Sequence, residues 1–119
     1  MRIINKYKDN SIFELNTLVA ERAGLQLFGS QCASLKVYSD SVLVKGGFHG
    51  STEYNWCRKW EDVGDILEDA YIIVNRDSCQ AHISSYFNPD VVVSCRNTRY
   101  DILRAIVEVW LVYKDKADA

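Results

Sequence analysis

Residues 100–116, Tyr-Asp-Ile-Leu-Arg-Ala-Ile-Val-Glu-Val-Trp-Leu-Val-Tyr-Lys-Asp-Lys, decide the fold of this chain. The spacing of their polar positions predicts a helix with one polar stripe: Asp101, Arg104, Glu108 and Asp115. All other faces of this helix are apolar, so we expect it to be covered on most sides. Thr98 and Asp101 have the spacing of a capping box, which predicts the start of the helix.

Length and composition predict one domain over residues 1–119, large enough to form a core without metals or disulfides. The 14 basic and 16 acidic residues give a net charge of -2, which does not favour nucleic acid or an anionic membrane. The sequence has neither a long apolar run nor the apolar core of a signal peptide. We therefore expect a cytoplasmic protein.

The four cysteines are spread singly along the sequence, as Cys32, Cys57, Cys79 and Cys95. Structural zinc sites usually take their ligands in closely spaced pairs, and no such pair is present here. Reduced thiols, no metal and no cofactor are therefore the prediction. Two disulfides would require an oxidising compartment, which a chain without a secretion signal does not indicate.

In the first half of the chain, Ser11 and Glu14 predict a capping box that opens an amphipathic surface helix, and Ala23-Gly24 predicts its end. We expect Asn16 to lie on the solvent face of this helix. A short edge strand is predicted at Arg2–Lys8, and period-two patterns predict strands at Leu25–Phe28, Leu35–Tyr38 and Val42–Lys45. Ser39-Asp40 is predicted to be a tight turn, and the glycine-rich segment Gly46–Thr52 to be a loop.

The second half predicts a short helix over Glu61–Asp69 and then an antiparallel meander. Its strands are predicted at Tyr71–Arg76, Cys79–Phe87 and Val91–Arg96, with turns at Asp77-Ser78 and Asn88–Asp90. The fold class is therefore α+β, with an antiparallel β-sheet packed with an N-terminal helix, a short middle helix and a long apolar C-terminal helix. We expect the last helix on one face of the sheet, and the first helix beside it or on the opposite face, in a layered α-β-α sandwich-like arrangement.

One segment resembles a known family. Trp60-Glu-Asp-Val-Gly64-Asp-Ile66-Leu67-Glu68, preceded by Tyr54 and Asn55, is similar to the Trp, Gly, aliphatic and Glu pattern of the NinX-like small phage proteins. The first helix, Glu14–Glu21, and the stretch from Leu103 resemble the same family, although Asp65 stands where the family often has proline. The resemblance implies an α-β-α sandwich from a phage or prophage, with no established enzymatic activity.

Catalytic and phosphate-binding interpretations are weak. A hydrolase using Cys57 with His49 rests only on their proximity in the sequence, and His82 is predicted on the outer face of a strand. The Gly46–Thr52 segment lacks the Gly-Lys-Ser/Thr run of a phosphate-binding loop. The acids of the second helix have the spacing of a solvated helix face rather than of a cation site.

Aromatic and cationic residues alternate before the second helix, a combination that stacks bases or anchors a protein partner. The candidate binding residues are Phe48, His49, Tyr54, Trp56, Arg58 and Lys59. Trp60 is expected in the core, whereas Trp56 and Arg58 are expected to form an exposed hot spot. The alternative is that Trp56 folds back over the second helix and caps the core.

A second candidate surface consists of Arg96, Arg99 and Arg104, which could bind an anion or offset the acidic second helix. We expect a non-enzymatic phage protein that binds a host or phage protein, for instance as an inhibitor of a defence or metabolic enzyme. The alternatives are a binder of a nucleotide or nucleic acid and, less favoured, an enzyme. A homodimer is a further hypothesis, because Leu111 lies within the polar stripe and Ile3-Ile4 could form an edge.

Overall fold

The computed structural model describes residues 7, 9–28, 40–45, 51–70, 72–75, 80–83, 94–96 and 102–117. In chain order the elements are α1 (Ile12–Arg22), β1 (Val42–Lys45), β2 (Ser51–Tyr54), α2 (Trp60–Ala70), β3 (Ile72–Asn75), β4 (Gln80–Ile83), β5 (Ser94–Arg96) and α3 (Ile102–Ala117). The fold is α+β with antiparallel strands, as the sequence predicts. No helix in these residues is long and apolar enough to cross a membrane.

The predicted capping box of α1 is confirmed. Ser11 Oγ accepts from the backbone amide of Glu14 at 3.1 Å, and Glu14 Oε1 accepts from the backbone amide of Ser11 at 2.8 Å. These bonds pair two amide groups that the first turn of a helix leaves without partners. Gly24 follows the helix with φ of +76°, a conformation that residues with a Cβ rarely adopt, so it ends α1 as predicted.

The strands before α2 form a two-stranded sheet. β1 and β2 pair in antiparallel register, with Val42 opposite Tyr54 and Lys45 opposite Ser51. The prediction of a loop through Thr52 is therefore wrong at its end, because Ser51 and Thr52 already pair with β1. The predicted strand at 25–28 is reduced to a bridge between Leu27 and Val44.

The second sheet is the predicted meander. β3, β4 and β5 are neighbours in that order, and both pairings are antiparallel. In β3, Ile72 and Val74 pack against the core, whereas Ile73 is 47% exposed.

Several predictions fall outside the described residues: the strand at Leu35–Tyr38, the meander turns, the cap at Thr98 and Asp101, and all of the strand at Arg2–Lys8 except Tyr7. Tyr7 itself lies in a turn, closed by a hydrogen bond from the amide of Asn10 to the carbonyl of Tyr7 at 3.1 Å.

Helix α3 is the centre of the molecule. It packs against α1, α2 and all three strands of the meander. Every residue from Ala105 to Val112 is buried, so this part of the helix has no side open to water. The predicted polar stripe is therefore not a solvent-facing stripe. Glu108 is 1% exposed, with Arg104 Nε 3.8 Å from its Oε1 atom, because a buried carboxylate requires a charged or hydrogen-bonding partner.

Arg104 and Asp115 of α3 bind the segment before α1 and the last residue of α1. Arg104 Nη2 donates to the carbonyls of Tyr7, at 3.4 Å, and of Asn10, at 2.5 Å. The hydroxyl of Tyr7 donates to Asp115 Oδ2, and Arg22 pairs with Asp115 Oδ1 at 3.1 Å. Arg104 and Asp115 thus connect α3 to Tyr7, to Asn10 and to the end of α1.

The structure removes one of the two observations on which the dimer hypothesis depends. Leu111 is completely buried within the chain, so it needs no second copy to cover it. The other reason, Ile3-Ile4, lies outside the described residues.

Candidate binding cavity

A tight turn joins β2 to α2 and orients the candidate binding residues. The carbonyl of Asn55 accepts from the amides of Arg58, at 3.2 Å, and Lys59, at 2.9 Å. The amide of Asn55 donates to Asp62 Oδ2 at 2.8 Å, which links the turn to the first turn of α2. Residues 55–59 are therefore a fixed turn rather than a free loop.

The side chain of Asn55 is the hub that fixes this turn. Its Nδ2 donates to Asp40 Oδ1 at 2.8 Å and to Ser41 Oγ at 3.2 Å, and its Oδ1 accepts from Asn16 Nδ2 at 2.9 Å. Asn16 also donates to the carbonyl of Asp40, at 2.9 Å, and accepts from the amide of Cys57, at 3.3 Å. Asn16 and Asn55 are fully buried, and every hydrogen-bonding atom of their amides is used.

The position of Asn16 corrects the prediction that it faces solvent. It lies on the buried face of α1 beside Leu15 and Val19. The one available signal is that asparagine is a poor helix former, so its presence inside a helix suggests a specific hydrogen-bonding partner. The sequence could not identify that partner, because Asn55 is 39 positions away.

The turn directs Trp56 inward. Trp56 is 4% exposed, and its ring stacks on that of Tyr54 with centroids 4.9 Å apart and planes 5° apart. The prediction of an exposed anchor at Trp56 is therefore wrong, and the alternative, that it packs into the core, describes the structure. Trp60 is 46% exposed, so its expected place in the core is also wrong.

The two cations of the turn are paired within the chain. Arg58 Nε lies 2.9 Å from Asp40 Oδ2, and Lys59 Nζ lies 3.9 Å from Glu53 Oε1. Their first role is to hold the turn against the start of β1 and against β2. Phe48 and His49, the other members of the predicted surface, lie outside the described residues.

The predicted arginine cluster is not assembled by the described residues. Arg104 is 14% exposed and engaged with Tyr7, Asn10 and Glu108. Arg99 lies outside the described residues, and only the backbone of Arg96 is placed, in β5. The guanidinium of Arg104 thus stabilises the fold through these contacts.

Cys57 is a buried thiol, 8% exposed. Burial, with a smaller opposing effect from Arg104, raises its pKa to about 12. At neutral pH the thiol is therefore protonated, and a protonated thiol is a poor nucleophile. This weakens the hydrolase interpretation, in which Cys57 would attack with help from His49.

A cavity of about 390 Å³ lies between α1, the end of β2, α2 and α3, and it is partly open to solvent. Its aromatic walls are Tyr54, Trp56 and Trp110, and Val19 and Ile66 add aliphatic surface. Trp110 is 4% exposed, and its Nε1 donates to Asp69 Oδ2 at 2.9 Å. The rings are therefore fixed by stacking and hydrogen bonding before any ligand arrives.

Five charged side chains line the same cavity: Arg22, Asp62, Asp65, Asp69 and Lys114. The three carboxylates come from one face of α2, and the two cations come from the ends of α1 and α3. Arg22 is paired with Asp115, outside the cavity, which raises the pKa of the guanidinium. Lys114 Nζ lies 3.6 Å from Asp69 Oδ2 and 5.6 Å from the centre of the Trp110 ring.

Two predicted site residues, Tyr54 and Trp56, thus line a cavity that the sequence did not predict. The contributions of Trp110 and of the α2 carboxylates were missed because the elements that create this cavity are far apart in the sequence. Within the described residues, no group of histidine, cysteine and acidic side chains has a metal-binding arrangement. Comparisons of the chain with known protein families, curated proteins and solved structures found no match.

Proposed function

We propose that this chain acts by non-covalent binding of a partner protein, one of whose side chains enters the cavity between α1, α2 and α3. The observation that carries the proposal is the cavity of about 390 Å³ with three fixed aromatic walls. Ligand sites typically have volumes of about 300–1,000 Å³ with mostly apolar linings and a few polar groups. A volume near the lower limit fits one protruding side chain better than a large ligand.

Preorganised aromatic walls support the same proposal. Binding energy at protein interfaces concentrates in a few well-packed pockets, and rings that are already fixed lose little entropy when a partner binds. Tyr54, Trp56 and Trp110 are fixed by the contacts described above. The resemblance to NinX-like phage proteins extends the proposal: the partner would be a host or phage protein, inhibited or modulated in the host cytoplasm.

The alternative, binding of a nucleotide or nucleic acid, has less support. Asp62, Asp65 and Asp69 line the cavity, and carboxylates repel phosphate groups. Of the predicted anion-binding arginines, Arg104 is engaged with backbone carbonyls.

Quantitative capture of partner proteins from host lysate tests the proposal, with a variant whose cavity is blocked by a larger side chain. Asp65→Phe places a ring among the residues that line the cavity, and Glu68→Phe makes a similar change at an exposed site of α2 outside it. A partner should be retained by the parent and by Glu68→Phe. Asp65→Phe should bind the purified partner at least about 30-fold more weakly, the loss expected from a hot spot.

Matched melting temperatures show that both variants are folded. The proposal is wrong if the parent retains no specific protein, or if Asp65→Phe binds the retained protein as tightly as Glu68→Phe does.

A further inference from the structure

We infer that the side chain received by the cavity is cationic, an arginine in a basic segment of the partner. This inference rests on the proposed function and adds the chemical class of the ligand. Three observations support it: the balance of charge around the cavity, the aromatic walls, and the lysine of the chain itself that already lies against one of those walls.

The charge balance favours a cation. Among the described residues, Asp65 has neither a hydrogen bond nor an ion pair, and the carboxylate of Asp62 accepts only from the backbone amide of Asn55. On the other side, Arg22 is already neutralised by Asp115, which does not line the cavity. Two carboxylates therefore face the cavity without a cation of their own among the described residues. An incoming positive charge would be attracted to them.

The aromatic walls favour the same class of ligand. The face of an aromatic ring is negative, so it attracts a cation within about 6 Å of the ring centre. Tyr54, Trp56 and Trp110 all contribute to the lining of this one cavity. A guanidinium group suits them better than an ammonium group, because it is planar, weakly hydrated and able to pair with a carboxylate through two hydrogen bonds.

Lys114 shows that this environment accepts a positive charge. Its Nζ is 5.6 Å from the centre of the Trp110 ring and 3.6 Å from Asp69 Oδ2. Lys114 is also on the wall of the cavity, so its charge opposes an incoming arginine. We therefore expect Lys114 to weaken binding, and its removal to strengthen it.

The test uses pentapeptides as probes, because the partner is unidentified. Acetyl-Gly-Gly-Arg-Gly-Gly-amide is titrated into ¹⁵N-labelled protein, alongside peptides with lysine or with citrulline, the neutral counterpart of arginine. The indole N–H signals of Trp56 and Trp110 report on the cavity. Trp60, 46% exposed and not in the cavity lining, gives the control signal.

With the arginine peptide, the signals of Trp56 and Trp110 should shift to saturation while that of Trp60 stays in place. The citrulline peptide should bind roughly fivefold more weakly or worse, which is the size expected for a partly exposed ion pair. Asp65→Asn should raise the Kd of the arginine peptide by a similar factor, whereas the matched control Glu68→Gln should not. Lys114→Met should lower the Kd.

The outcomes separate the inference from the proposed function. Equal binding of the arginine and citrulline peptides would overturn the inference. It would leave the proposed function standing, because the cavity would still bind a side chain. An arginine-dependent shift confined to Trp60, or no shift with any peptide, would also overturn the inference. The proposed function is tested separately: it is wrong if the parent retains no specific protein, or if Asp65→Phe binds the retained protein as tightly as Glu68→Phe does.

Discussion

Replacing Trp110 by alanine is expected to lower the free energy of unfolding by about 3–5 kcal/mol. Trp110 is 4% exposed on the central helix, and its truncation removes both a large apolar contact and the hydrogen bond to Asp69. The cavity left behind would be only partly filled by neighbouring side chains. Because domains have total stabilities of about 5–15 kcal/mol, the variant should be close to unfolding at room temperature. Urea denaturation measures the change.

Two further variants keep this prediction testable. Trp110→Phe retains most of the apolar bulk, so it should stay folded and cost less than alanine. Trp60→Ala removes a ring that is 46% exposed, and it should cost only about 1 kcal/mol. If Trp110→Ala costs no more than Trp60→Ala, the assignment of Trp110 to the core is wrong.

Replacing Asn55 by alanine is expected to cost about 3 kcal/mol, the upper end of the penalty for leaving buried polar groups unpaired. Its amide makes three side-chain hydrogen bonds, to Asp40, Ser41 and Asn16. The loss should also loosen the turn that sets Trp56 into the core. Quenchers in the solvent should therefore reduce the fluorescence of Trp56 more strongly than in the parent, at denaturant concentrations below the unfolding transition.

A double-mutant cycle with Asn16→Ala isolates the buried pair. Asn16 Nδ2 and Asn55 Oδ1 are 2.9 Å apart, and residues in one hydrogen-bond network usually couple by about 0.5–3 kcal/mol. We expect the double variant to be more stable than the sum of the single losses implies. Strict additivity would mean that the two amides do not form one network.

The sequence predicted the features that depend on local pattern. The capping box at Ser11 and Glu14, the end of α1 at Gly24 and the antiparallel meander are encoded by residues close to one another, and all three are present. The burial of the C-terminal helix was also predicted correctly, because a helix that is apolar on most sides must be shielded from water by other elements.

Features that depend on contacts distant in sequence were not predicted. Arg104 and Glu108 were predicted only as members of a polar stripe, because helical spacing cannot reveal the carbonyls of Tyr7 and Asn10, which Arg104 binds. The roles of Trp56 and Trp60 were exchanged for a similar reason. Trp60 begins α2 and Trp56 lies in the turn before it, and the hydrogen bonds of Asn55 direct Trp56 inward.

The lining of the cavity was likewise predicted only where it depends on residues close together in the sequence. Tyr54 and Trp56 were singled out because aromatic residues alternate with cations in the sequence. The sequence did not indicate that Trp110 and three aspartates would join them, since α3 meets α2 only in the folded chain. Of the predicted binding residues, Tyr54 and Trp56 line this cavity, and Trp56 is buried where exposure was predicted.

The central claim is that the fold is built around α3, and native-state hydrogen exchange tests it most directly. Every residue from Ala105 to Val112 is buried, so their amides should exchange only when the whole domain unfolds. We expect them to be the slowest amides of the protein, with exchange free energies equal to the global free energy of unfolding. Exchange of these amides as fast as those on the exposed face of α1 would contradict the claim.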